Sequence, residues 1–100
     1  MSKVVVRYQV KPERAEENQH LIERVFAELA EAAPEGLQYA SFRLEDGVSF
    51  VHVAAIETED GSNPLGAIEA FTDFTRGIGE RCDEPPAAQG AQLVGSYGLF

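Results

Sequence analysis

Asp46-Gly47 lies between two stretches, 37–45 and 48–56, that are rich in apolar, β-branched and aromatic residues. Asp-Gly between such runs is a strong hairpin signal, because glycine supplies the positive φ that a tight turn needs. A two-residue turn here sets Glu45 against Val48, Arg43 against Phe50 and Ser41 against His52. Side chains alternate along a strand, so this register sorts them into two faces. Ala40, Phe42, Leu44, Val51, Val53 and Ala55 make a clean apolar face, the expected core. Tyr39, Ser41, Arg43, Phe50, His52, Ala54 and Ile56 make a mixed one.

The remaining elements are arranged around this hairpin. Residues 4–10 (VVVRYQV) are β-branched and partly alternating, and they read as a strand. Lys11-Pro12-Glu13 ends that strand and opens a helix, since proline suits the first helical position. Glu13, Glu16 and Glu17 suit the positive end of the helix dipole. Leu21, Ile22, Val25, Phe26 and Leu29 recur at helical spacing, and Pro34 with Gly36 stops the run, which places the helix at 13–33. A polar loop over 57–63 leads to a second helix, with Ser62 or Asn63 as its cap and Pro64 in its first turn. Leu65, Ile68, Phe71, Phe74 and Ile78 are its buried stripe, and Gly77 and Gly79 weaken its end. Residues 83–90, with Pro85-Pro86, read as an exposed connection. Residues 91–100 read as the last strand, interrupted by Gly95 and Gly98.

The order is therefore β-α-β-β-α-β. This is an α+β, ferredoxin-like protomer, with a four-stranded antiparallel sheet and two helices on one face. Its 100 residues allow one domain, spanning 1–100. Two helices cover only one side of such a sheet. On this register the other side holds Val5, Arg7, Phe50, His52, Ala54 and Ile56, a surface too apolar to be left to water. A second copy packed sheet to sheet is the economical cover, and two-fold homodimers are the commonest soluble oligomers. A net charge of −9 argues against nucleic acid or an anionic membrane as partner. An RNA-binding sheet would set basic residues beside its exposed aromatics. One Cys allows no internal disulfide and no Cys-rich zinc site, and no Cys or second His stands near His52 in sequence, so no metal is expected; no cofactor is expected either. No secretory apolar segment follows Met1, and no apolar run approaches a membrane span, so a cytoplasmic location is expected.

The opening Val-Arg-Tyr-Gln-Val-Lys-Pro-Glu and the acidic amphipathic helix after it, in a chain of this length and order, resemble the dimeric α/β-barrel superfamily. Within it, the chain is most similar to antibiotic-biosynthesis-monooxygenase-like domains, over nearly its whole length. The resemblance implies a protomer whose sheet packs on a partner's sheet, with a pocket between the sheet and its own helices. It also implies the activities met in that family: oxidation of quinol-like or polyketide aromatics by molecular oxygen without metal or flavin, or haem degradation. No family catalytic residue carries over to a matching position. The chain has no Trp, its two Asn are Asn18 in the first helix and Asn63 in a loop, and the segment Leu65-Gly66-Ala67-Ile68-Glu69-Ala70-Phe71 lacks the His and Trp that many members carry there.

Among single residues, His52 stands out as a general base or a hydrogen-bonded interface residue, mid-strand opposite Ser41. Tyr8 is the second catalytic candidate, because a buried hydroxyl needs a partner. Arg7 and Arg43 form a cationic strip suited to an anionic ligand, or pair with carboxylates such as Glu45 or Glu57 across a dimer. Tyr8, Phe42, Phe71 and Phe74 are expected to converge between sheet and helices, either as the wall of an aromatic-binding pocket or as plain core. Tyr39 and Tyr97 would edge a cavity or a dimer surface. His20 reads as surface and Cys82 as an inert thiol. Gly77-Ile78-Gly79 lacks the Lys of a phosphate loop, and the acidic stretch 57–60 reads as a solvated loop. Two functions follow: a cofactor-independent monooxygenase acting on an aromatic small molecule, or a non-catalytic homodimeric binding or structural module.

Overall fold

A computed structural model describes residues 2–99. Its elements are β1 (Ser2–Val10), α1 (Ala15–Ala32), β2 (Leu37–Arg43), β3 (Ser49–Ile56), α2 (Glu69–Thr75), α3 (Ile78–Arg81) and β4 (Cys82–Gly90). The strands form one antiparallel sheet in the order β2-β3-β1-β4, the expected ferredoxin-like arrangement. No helix among the described residues is long and apolar enough to cross a membrane.

Local chemistry explains the first half. Pro12 opens a single 3₁₀ turn, Pro12–Arg14, that feeds α1. Ala33 ends α1 in the left-handed region at φ 43°, because Pro34 disfavours another helical residue before it. The hairpin has the expected register, with Arg43 against Phe50 and Ser41 against His52. Its loop is longer than the expected two residues: Leu44 N–H bonds Ser49 O (2.9 Å), and a turn closes on Gly47 N–H to Leu44 O (3.0 Å). The Asp46 carboxylate pins it by accepting from Val48 N–H, Ser49 N–H and Ser49 Oγ–H.

The faces of the hairpin are the reverse of the expectation. Val6 pairs with His52, Tyr8 with Phe50 and Val4 with Ala54, so the mixed face lies under the helices. Val5 pairs with Val53 and Arg7 with Val51, so the apolar set of Ala40, Phe42, Val51 and Val53 lies on the uncovered side. The reason lies in β1. Its apolar series Val4-Val6-Tyr8-Val10 must turn inward, and strand pairing carries β3's mixed series with it. The mixed face tolerates burial because the helices bring matching polar groups, Asn18 and Arg81, both nearly inaccessible to water.

The second helix is broken. A 3₁₀ turn at Pro64–Ala67 is capped by Asn63, whose Oδ1 accepts from Leu65 N–H (3.0 Å). The chain is then extended at Ile68 and left-handed at Gly77, which separates α2 from α3. Glu28 of α1 caps α2 by accepting from Glu69 N–H and Ala70 N–H. The expected stripe still points inward: Leu65, Ile68 and Phe74 are buried and Phe71 and Ile78 pack against them.

The last strand is also displaced. Residues 82–90 pair with β1, whereas only Ala91 N–H, bonded to Lys3 O (2.8 Å), extends that pairing towards 91–99. Pro85 and Pro86 fit because β4 is an edge strand and its register slips opposite Tyr8, where no donor is required. In the segment after β4, Val94 and Tyr97 are fully exposed.

Candidate functional site

A cavity of about 280 Å³ lies between the helix-covered face of the sheet and α2–α3. Val4, Val6 and Tyr8 of β1, Tyr39 of β2, and His52, Ala54 and Ile56 of β3 form its floor. Leu65, Phe71, Phe74 and Ile78 roof it, and Asn63 and Thr75 supply polar groups among them. Aromatic rings dominate the wall: Tyr39 meets Phe71 edge-on at 6.5 Å, and Tyr8, His52 and Phe74 lie within 6.3 Å of one another, centroid to centroid.

His52 occupies the centre of the floor and is 4 % exposed. Its Nε2 is 2.7 Å from Tyr8 Oη, and its Nδ1 is 2.7 Å from Ser41 Oγ and 2.8 Å from Tyr39 Oη. Tyr8 Oη also accepts from Asn18 Nδ2 (2.9 Å), and Asn18 Oδ1 accepts from Arg81 Nε (3.1 Å). Arg81 completes its bonding on the carbonyls of Phe74 (2.6 Å) and Arg76 (3.3 Å). No buried side-chain polar atom among the described residues lacks a partner.

This chain of bonds has a direction. Arg81 can only donate, so Asn18 must present its oxygen to Arg81 and its NH₂ to Tyr8. Tyr8 therefore accepts from Asn18 and spends its own proton on His52 Nε2. That assigns the imidazole proton to Nδ1, facing Ser41 and Tyr39. Burial lowers the His52 pKa to about 4, so the ring is neutral at pH 7. Burial also raises the Tyr8 and Tyr39 hydroxyls, partly offset by the hydrogen bonds from Asn18 and Ser41 respectively. Arg81 is pushed below its usual value by burial, and Glu17 opposes that shift.

Tyr8, His52, Phe71 and Phe74 thus meet at the cavity. Three residues expected to contact a ligand, Phe42, Arg7 and Arg43, do not. Phe42 points to the uncovered face and is 53 % exposed, so the expectation that it converges with Tyr8, Phe71 and Phe74 is corrected. Arg7 is exposed on that same uncovered face, whereas Arg43 lies on the helix side, so the two do not form one cationic strip. Arg43 binds within its own chain, to Glu16 (2.9 Å), Gln19 (2.8 Å) and the Gly47 carbonyl (2.9 Å), rather than to Glu45 or Glu57. His52 is likewise turned away from the uncovered face on which a subunit contact was expected. Cys82 is buried, with its thiol pushed up by burial, and His20 is exposed. Among the described residues, no three His, Cys, Asp or Glu side chains gather in a metal-binding group.

Asn18 and Arg81 are the residues that sequence reasoning missed. Both carried a signal. Asn18 stands in line with Ile22, Val25 and Leu29 on the buried stripe of α1, and Arg81 stands in line with Phe74 and Ile78. A polar residue at an apolar stripe position must have a buried partner.

No protein-family model matches the sequence, and no curated protein is significantly similar to it. Solved structures are similar over nearly the whole chain. One is a crystal structure of an antibiotic biosynthesis monooxygenase: 22 % identity, 95 % of this chain and 100 % of that one covered, TM-score 0.73. Another is SnoaB, a cofactor-independent oxygenase from Streptomyces nogalater: 16 % identity, 98 % and 97 % covered, TM-score 0.69. A third is a protein of unknown function from Nitrosomonas europaea: 13 % identity, 99 % and 94 % covered, TM-score 0.74. Four antiparallel strands in this order, backed by helices that enclose a cavity, give the chain the fold of the antibiotic-biosynthesis-monooxygenase-like proteins.

Proposed function

We propose that this protein binds a compact, mainly aromatic small molecule in the cavity and oxidises it with molecular oxygen, without metal or flavin. The observation that carries this reading is the Tyr8–His52 pair in an apolar, aromatic-walled cavity: a hydroxyl 2.7 Å from a neutral imidazole nitrogen, both nearly inaccessible to water. A ligand carrying an activated CH₂ between aryl groups loses a proton toward Tyr8 and His52, and the resulting carbanion is oxidised directly by O₂. One oxygen atom ends on the ring system as C=O. The other leaves as water with the two hydrogens of the CH₂. The protein contributes proton transfer, a dry site and orientation between Tyr39, Phe71 and Phe74.

The expected assembly is a homodimer packed through the uncovered face. Phe42, Ala40 and Val53 border an apolar hollow of about 290 Å³ on that face, together with Leu99, which is 71 % exposed. A cytoplasmic location is part of the same proposal.

Oxygen uptake with an anthrone, a tricyclic ring with such a CH₂, is the test. Replacing His52 by Gln removes the proton-accepting ring nitrogen and is expected to lower uptake roughly 100-fold, whereas Glu31→Gln on the exposed side of α1 leaves it unchanged. Equal uptake in His52→Gln, Tyr8→Phe and wild type would sink the catalytic assignment. The second reading, a binding module without turnover, draws on the complete hydrogen bonding of both His52 nitrogens. It predicts saturable quenching of tyrosine fluorescence by the anthrone with no oxygen uptake at all.

A further inference from the structure

His52 lies between two hollows. Its Nε2 side faces Tyr8 and the aromatic cavity, and its Nδ1 side meets Tyr39 and Ser41, of which Ser41, unlike Tyr39, does not line that cavity. Ser41 in turn lines a second, more open hollow of about 430 Å³ between α1 and β2, beside Gln19, Glu23 and Arg43. From this we infer that Tyr8, His52 and Ser41 form a proton route through the sheet's covered layer, from the cavity to that hollow, and that Arg81 and Asn18 set its direction. The inference rests on the proposed deprotonation of a cavity ligand.

The step balances without a charged imidazole. A ligand proton reaches Tyr8 Oη, and Tyr8's own proton moves to His52 Nε2. The Nδ1 proton moves to Ser41 Oγ, and Ser41's proton passes to water in the hollow. One proton leaves the ligand, one enters solvent, and His52 changes tautomer. Run in reverse, the same route returns a proton to the oxygen atom that leaves as water, and this restores the starting tautomer. A buried imidazole that resists a second proton suits such a role, because gain at one nitrogen accompanies loss at the other. Asn18 and Arg81 are positioning residues here. By donating to Tyr8 Oη, Asn18 reserves the Tyr8 proton for Nε2.

The test reads histidine tautomers and exchange in the ligand-free protein by ¹⁵N NMR. Its failure is therefore separable from failure of the anthrone to bind or react. Wild-type His52 is expected to carry its proton on Nδ1. In Asn18→Asp the new carboxylate accepts the Tyr8 proton, and His52 is expected to switch to the Nε2–H form. Ser41→Thr keeps the hydroxyl, and Ser41→Val has nearly the same shape without it. Solvent exchange of the His52 ring proton is expected to be roughly tenfold slower in Ser41→Val than in Ser41→Thr, the cost of one missing hydrogen bond. An Nε2–H wild type, an unchanged tautomer in Asn18→Asp, or equal exchange in the two Ser41 variants would each overturn the route. Should Ser41→Val fail to fold, the tautomer measurements on wild type and Asn18→Asp still decide it.

Discussion

At the scale of single residues, the burial of His52 has a thermodynamic consequence apart from chemistry. Its pKa falls from 6.5 to about 4 on folding, because the charged form loses its hydration. Above pH 6.5 the ring is neutral in both states and costs nothing. Below that, the unfolded chain binds a proton that the folded chain refuses, so stability is lost as pH falls from 6.5 through about 4. The expected loss between pH 7 and pH 4.5 is about 2 kcal/mol, at 1.36 kcal/mol per pKa unit. Urea midpoints of wild type and His52→Gln at both pH values check it, since the carboxylates titrate in both proteins and cancel. A parallel acid slope in the two would refute it. The polar residues around His52 were only half legible in the sequence. Hairpin register set Ser41 opposite His52, but it put both on the face away from Tyr8, and only the pairing of β1 with β3 brought Tyr8 against His52. Asn18 and Arg81 come from helices, and no local rule states which strand residue a helix residue will meet.

Among the elements, the most constrained connection joins α1 to β2. Gly36 sits at φ +81°, and its carbonyl accepts from Glu57 N–H at 2.7 Å, tying the start of β2 to the end of β3. A Cβ at Gly36 would lie 2.5 Å from the Glu57 carbonyl oxygen and 2.9 Å from Thr58 Cγ2. Gly77, between α2 and α3, has a similar φ of +76° but nothing within 4 Å of such a Cβ. Gly36→Ala is therefore expected to cost about 3 kcal/mol, backbone strain plus overpacking, and Gly77→Ala about 1 kcal/mol, strain alone. Urea denaturation of the two variants separates the effects, and equal costs would show that the close approach at Glu57 carries no weight. Elements with strong local punctuation, α1 and the hairpin, were readable in advance. The final strand was not. Pro85-Pro86 reads locally as a break, but β4 lies at the sheet's edge beside a slip in β1's register, where a missing N–H is harmless.

For the whole molecule, the uncovered face is the feature that most demands a partner. It presents Ala40, Phe42, Val51 and Val53, with Arg7 as its exposed cation, and the homodimer proposal rests on it. Sedimentation at micromolar concentration is expected to give twice the 10.9 kDa chain mass. Phe42→Arg, which sets a charge at the most exposed aromatic of that face, is expected to return it to the single-chain value. A wild type that sediments as single chains would remove the dimer from the proposal. By itself the sequence determined the order of elements, the single layer of helices and the hairpin register, because caps, turns and side-chain periodicity act over a few residues. Only the tertiary structure decided which hairpin face turned inward, which chain segment closed the sheet, and which helix residues reached His52's partner Tyr8. Each depends on pairing between segments far apart in the chain, and there burying β1's apolar series outweighed the cleaner pattern of the hairpin.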